Sequence, residues 1–159
     1  MIVPFDKLPE QARVWIYPSD RKLSTSEVAD ITAELTTFLE DWTAHGQALR
    51  TGFSIPYDRF IVIGLDQNTQ ASGCSIDAQV RMIQLLEQKF KISLLDRMNV
   101  TFKQGEYFSH KPLLEFKALV KSRSIGPQTI VFNNLVQTIA EFQSAWEVPA
   151  QESWHARFF

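Results

Sequence analysis

Residues 60–65, Phe-Ile-Val-Ile-Gly-Leu, form an unbroken apolar run that ends at Asp66. The run is too short for a typical helix, and a strand with one wet face would alternate apolar with polar residues. It therefore predicts a central strand covered on both faces, with other elements layered around it.

The flanking patterns supply those elements. Arg13-Val14-Trp15-Ile16-Tyr17 is β-branched and aromatic, and predicts a strand stopped at Pro18. Ser24-Thr25-Ser26-Glu27 has the spacing of a capping box, in which the Ser24 hydroxyl accepts from the Glu27 N–H while the carboxylate reaches back. Val28, Ile31, Leu35, Phe38, Leu39 and Trp42 then recur at helical spacing. The helix is predicted from Thr25 to about Ala44, with Gly46 as its left-handed cap. Ala48–Ile55 reads as an edge strand ended by Pro56, and a second helix is predicted from about Cys74-Ser75, with Ile76, Val80, Ile83, Leu86 and Phe90 on one face. Strands at Val100–Lys103 and Glu106–Phe108 enclose a turn at Gln104-Gly105. A third helix follows Pro112, a last strand covers Thr129–Phe132, and a fourth helix runs from Leu135 to Trp146 before Pro149.

The first six elements have the order βαββαβ, the ferredoxin-like arrangement. The rest would form a C-terminal extension to a mixed, largely antiparallel sheet with helices, an α+β fold. At 159 residues, with no low-complexity stretch, repeat or linker, the chain reads as a single domain spanning 1–159.

Charge and motifs narrow the function. Sixteen basic against eighteen acidic residues give a net charge of −2 and a pI of 5.9, which argue against nucleic acid or an anionic membrane surface as partner. The basic cluster Lys117–Arg123 reads as the solvated face of the third helix. No apolar run is long enough to span a membrane, and the N-terminal residues lack the pattern of a secretion signal. The single cysteine fits a reducing, cytoplasmic compartment. No glycine precedes a lysine, so there is no phosphate loop, and no G-x-G-x-x-G occurs; no cofactor is implied. One Cys and three widely separated His residues offer no structural zinc spacing.

Chemistry concentrates at Ser72-Gly73-Cys74-Ser75-Ile76-Asp77, between the central strand and the second helix. Free amides at a helix start bind anions, and the dipole there can activate a thiol. Ser72, Gly73, Ser75 and Asp77 are thus candidate ligand-binding residues and Cys74 a candidate nucleophile. Gly73 would let the backbone turn tightly. The plainer alternative makes Ser75 the N-cap and Asp77 a first-turn acid complementing the dipole. A cysteine nucleophile needs a base, for which His45, His110 and His155 are available. A C-x5-R phosphatase loop is absent, because Arg81 stands one position too far. The C-terminal Trp154-His155-Ala156-Arg157-Phe158-Phe159 is unusually aromatic for a terminus. It is expected to pack back on the domain, the alternative being that it docks on a partner such as a second copy. Folded over Ser72–Asp77, it would wall a pocket with Trp154, His155 and Arg157.

Several blocks together resemble an uncharacterised family of small bacterial proteins, frequent in Bacteroidetes and sometimes labelled ABC transporter ATPase. They are Arg13–Tyr17, Trp42–Gly46, Arg59–Val62, Ser72–Asp77, Leu94–Arg97 and Glu152–Phe159. The missing phosphate loop conflicts with that label. The resemblance implies no activity. It implies only that a site would lie where His45, Cys74, Ser75, Asp77, Trp154, His155 and Arg157 fall. The leading expectation is a binding or interaction protein for an unknown protein partner or a small anionic ligand; a homo-oligomeric structural protein is a third possibility. The alternative is a small enzyme using Cys74, with His45 or His155 as base, or the Ser72–Asp77 loop.

Overall fold

A computed structural model describes residues 1–159 and shows an α+β protein. The chain divides into two compact units, residues 1–95 with 137–139 and residues 96–136 with 140–159.

The first unit runs β1 (Arg13–Pro18), α1 (Thr25–Glu40), β2 (Thr43–Ala44), β3 (Gln47–Ala48), β4 (Thr51–Ser54), β5 (Phe60–Leu65) and α2 (Gly73–Phe90). Its sheet has the order β1-β5-β4, antiparallel throughout, and β5 is buried at every position. Ile61, Ile63 and Leu65 point to one face and share a core with Tyr17, with Ile31, Leu35 and Leu39 of α1, and with Ile83 and Leu86 of α2. The N-terminal segment closes on the sheet through a bridge from Ile2 to Thr51 and a Val3 N–H donated to the Thr51 carbonyl at 2.7 Å. Its route needs glycine twice. A Cβ on Gly52 would stand 2.6 Å from the Val3 carbonyl oxygen, and one on Gly64 would stand 2.6 Å from the Leu8 Cδ1.

Both helices are held at their ends by side chains. At α1 the capping box forms as expected, Glu27 N–H to Ser24 Oγ at 3.1 Å and Ser24 N–H to Glu27 Oε1 at 2.9 Å. Arg21 forks onto both Glu27 oxygens and also donates to the Phe90 carbonyl at the end of α2. The guanidinium and the Ser24 amide hold the Glu27 carboxyl at about 2.

Helix α1 ends at Glu40, not near Ala44, and a short β2–β3 hairpin follows. His45 and Gly46 form its turn, with φ of 51° and 76°. A left-handed glycine serves a helix cap and a two-residue hairpin equally well, so Gly46 misleads a reading made from residue types alone.

Along the chain, strand, helix, strand, strand and helix follow one another as expected through α2, with the β2–β3 hairpin added after α1. The sixth element, β6 (Asn99–Gln104), belongs to a different sheet. Residues 137–139 hydrogen-bond along the outer edge of β1 instead, with Val14 N–H to the Gln137 carbonyl at 2.9 Å and Ile139 N–H to the Ala12 carbonyl at 3.0 Å.

The second unit contains β6, β7 (Tyr107–Pro112), α3 (Leu113–Lys121), β8 (Ile130–Phe132), most of α4 (Ile139–Ala145) and β9 (Glu147–Pro149), followed by 3-10 turns at Ala150–Glu152 and Trp154–Phe158. Its antiparallel sheet has the order β7-β6-β8-β9. Val100, Phe102 and Val131 pack against Phe116 of α3, with the Phe102 and Phe116 rings edge-on at 5.3 Å. Phe108, Phe132, Trp146 and Phe142 form a second aromatic series, and the Trp146 indole donates to Asn134.

The two glycine contacts should separate in a stability measurement. Gly52→Ala drives a methyl into backbone and should cost about 2–3 kcal/mol, within the range for overpacking. Gly64→Ala meets mainly the movable end of a leucine and should cost less. Urea unfolding of both variants beside the parent chain checks the order.

Candidate functional site

The segment before α2 is anchored by Asp66, which pairs with Arg50 at 2.9 Å and accepts the Asn68 N–H at 3.0 Å. Both carboxylate oxygens of this strand-end acid are therefore used in shaping the loop. No three His, Cys, Asp or Glu side chains in the chain gather in a way that could hold a metal ion.

Helix α2 begins at Gly73, one residue before the expected start near Cys74-Ser75. Ser72, not Ser75, is the N-cap: its hydroxyl accepts the Ser75 N–H at 3.1 Å, and the Ser75 hydroxyl accepts the Ser72 N–H at 2.7 Å. A serine thus takes the part that glutamate plays at α1. Gly73 is the first helical residue, has no positive φ, and has open space where a Cβ would stand, so no tight turn depends on it. Asp77 lies beyond the first turn and is exposed.

Cys74 is the second helical residue and is exposed. The adjacent Ser75 is buried, and its carbonyl accepts the Trp42 indole N–H at 2.8 Å. That bond seats the start of α2 against Trp42, two residues past the end of α1. His45, at the tip of the β2–β3 hairpin, is exposed, and no hydrogen bond joins it to Cys74.

Trp154, His155 and Arg157 belong to the second unit. The tail packs back, as expected: Trp154 and Phe158 lie against the core around Phe116. His155 is 1% exposed, stacked on Trp154 at 3.9 Å and edge-on to Phe116 at 5.6 Å. Its Nδ1 bonds the Ser153 hydroxyl at 2.8 Å. Burial, aided by the nearby Arg157 charge, lowers its pKa to about 4, so the ring is neutral near pH 7. Arg157 is exposed, donates to the Trp154 carbonyl, and lies over that ring at 5.7 Å. His110, on β7, bonds Thr101 across the strand pair at 2.8 Å.

An open concavity of the first unit lies elsewhere. A groove of about 700 Å³ runs between α1 and α2, floored by Phe38, Met82 and Leu85 and edged by Glu34, Gln88 and Lys89. Leu85 is 60% exposed, and Lys89 pairs with Glu34 across the groove. None of these residues stood out as a site in the sequence. The available signal was the doublet Leu85-Leu86: neighbours on a helix point about 100° apart, so both cannot occupy the centre of one buried face.

Comparison of the chain with family models, curated proteins and solved structures returns no match.

Two measurements test this local picture. Ser72→Ala should cost about 1 kcal/mol through the lost cap, whereas Gly73→Ala should leave stability unchanged or raise it by up to about 1 kcal/mol. His155 sets a pH dependence. The unfolded chain takes up a proton near pH 6.5 and the folded chain only near 4. The stabilisation from the neutral ring is complete above pH 6.5 and is lost as pH falls through that window, by up to about 3 kcal/mol. The carboxyl of Glu27 adds its own loss at lower pH, between about 4.5 and 2. His155→Gln should flatten the decline between pH 6.5 and 4.5 in denaturant titrations at successive pH values.

Proposed function

We propose that this chain works by binding, that its docking surface is the groove between α1 and α2, and that the occupant is the helical surface of a protein. One observation carries the reading: Leu85 stands 60% exposed in an apolar trough between α1 and α2. Two parallel walls with an apolar floor suit a helix laid between them. The charged lining residues, Glu34 and Lys89, pair with each other, which leaves an apolar surface better suited to a polypeptide than to a small anion.

Cys74 chemistry has less support. The thiol is exposed, His45 sits in a hairpin turn without a bond to it, and His155 is committed to Ser153, Trp154 and Phe116. The amide that an anion would use at the third helical position is taken by Ser72. A cytoplasmic location belongs to the same proposal and is supported by the single cysteine in the chain. No helix is long and apolar enough to cross a membrane. Kinship with the bacterial family that the sequence blocks resemble is likewise proposed, and it adds no activity.

Affinity capture with three baits tests the reading: the parent chain, Leu85→Glu and Cys74→Ser. Proteins held by the parent should be lost from Leu85→Glu and kept by Cys74→Ser. Equal capture by the parent and Leu85→Glu would overturn the proposal, as would loss of capture on Cys74→Ser.

A further inference from the structure

The basic cluster Lys117–Arg123 and the aromatic C-terminus, far apart in the sequence, meet in the second unit. Helix α3 and the 3-10 turn Trp154–Phe158 pack on one core, with Phe158 edge-on to Phe116 at 6.1 Å. Where they meet, cations lie on aromatic rings. The Lys117 ammonium is 5.2 Å from the centre of the Phe158 ring, and the Arg157 guanidinium is 5.7 Å from that of Trp154. The two rings contact each other edge to face at 5.9 Å, so both cations stand on one continuous aromatic base. Lys121 follows Lys117 by four residues, one turn further along the same side of α3.

These cations are unpaired. Lys117, Lys121 and Arg157 are exposed, and none takes part in an ion pair of the chain; the same holds for Arg123, just past the end of α3. Glu115, the acid of α3, faces Lys111 at 3.9 Å, and Glu152, the acid of the tail, pairs with no cation. Lys121 stands in the last turn of α3, where a positive charge complements the helix dipole. Lys117 and Arg157 have no such use in the fold. Gathering like charges on one surface costs the folded state some repulsion. The rings beneath them add order: a cation laid on an aromatic face is held there, so less side-chain freedom is lost when an anion arrives.

We infer that α3 and the C-terminal turn form a second docking surface, and that its occupant is an acidic segment of a partner protein. Charge complementarity to the unpaired cations carries the inference, and the surroundings of the rings separate this occupant from other anions. A nucleobase needs a free aromatic face to stack on. His155 already stacks on Trp154 at 3.9 Å, Arg157 lies over the same ring, and Phe158 is packed against the core beneath Lys117. Attachment to an anionic membrane combines basic residues with apolar side chains that enter the bilayer, and both rings are committed to the core. A single small ion would meet only exposed cations and stay in water. A peptide with several carboxylates can reach several of these cations at once. Contacts between charges at the surface are screened, so the association is weak and falls with salt. This surface belongs to the second unit and is independent of the groove between α1 and α2.

Fluorescence anisotropy of a labelled peptide of alternating glutamate and serine tests it, with the full chain raised from about 1 µM to about 1 mM at low salt. The parent chain should bind saturably, and about 0.3 M salt should weaken binding at least about tenfold. Lys117→Glu and Arg157→Glu should each weaken it at least about fivefold. Lys7→Glu makes the same change in net charge at an exposed residue of the first unit, and should bind as the parent does. Melting should stay close to that of the parent throughout, because all three side chains are exposed. Lys117→Gln and Arg157→Gln, which remove the charge without reversing it, stand in for any reversal that melts early. Absence of saturable binding by the parent overturns the inference. So does binding that Lys117→Glu and Arg157→Glu leave unchanged, or that Lys7→Glu weakens equally. Tighter binding of labelled oligothymidylate or of phosphatidylserine vesicles than of the peptide would likewise remove the acidic segment as occupant.

Discussion

The structure of the first unit depends on giving β5 no solvent face. Phe60–Leu65 is buried at every position, so both neighbouring strands, both long helices and the N-terminal segment must be present to cover it. The requirement reaches down to single atoms: Gly52 and Gly64 lack side chains where Val3, Phe5 and Leu8 come to rest. Burying five aliphatic or aromatic side chains in this strand contributes about 1.5–3 kcal/mol each. That gain keeps a three-stranded sheet stable against the entropy of ordering the loops around it.

From that core, the surrounding polar groups acquire their roles. Arg21 ties the start of α1 to the end of α2, and Trp42 ties the end of α1 to the start of α2, so the two helices are clamped at both ends. The trough between them is left open along its middle, where Phe38, Met82 and Leu85 lie. Rigid walls are what a docking surface requires, because little ordering entropy is then spent on binding. The cysteine stands outside this clamp, one residue before the buried Ser75.

The α+β class and most elements were legible in the residues. The β5 run, the Ser24–Glu27 capping box and the 13–18 strand are local signals, and local signals survive folding. What was not legible was pairing. Nothing in Val100–Lys103 tells whether it joins β1 or a second sheet, because both are antiparallel neighbours with one buried face. The candidate site suffered for a related reason. Ser72 and Ser75 are equally good caps by type, and only the register of the helix distinguishes them. The docking trough was hidden because apolar spacing marks what can be buried, without saying which residues a neighbouring helix leaves uncovered.

Residues 137–139 give the topology one further property. The chain builds most of a second sheet and then returns to lie along the free edge of β1. A fragment cut after Leu95 would keep every helix and strand of the first unit, yet its β1 would present a bare row of amides and carbonyls to any extended peptide. Completing that unit requires synthesis to continue for some forty residues beyond its apparent end. A nascent chain paused in that interval lacks the cover that residues 137–139 give to Ala12–Val14.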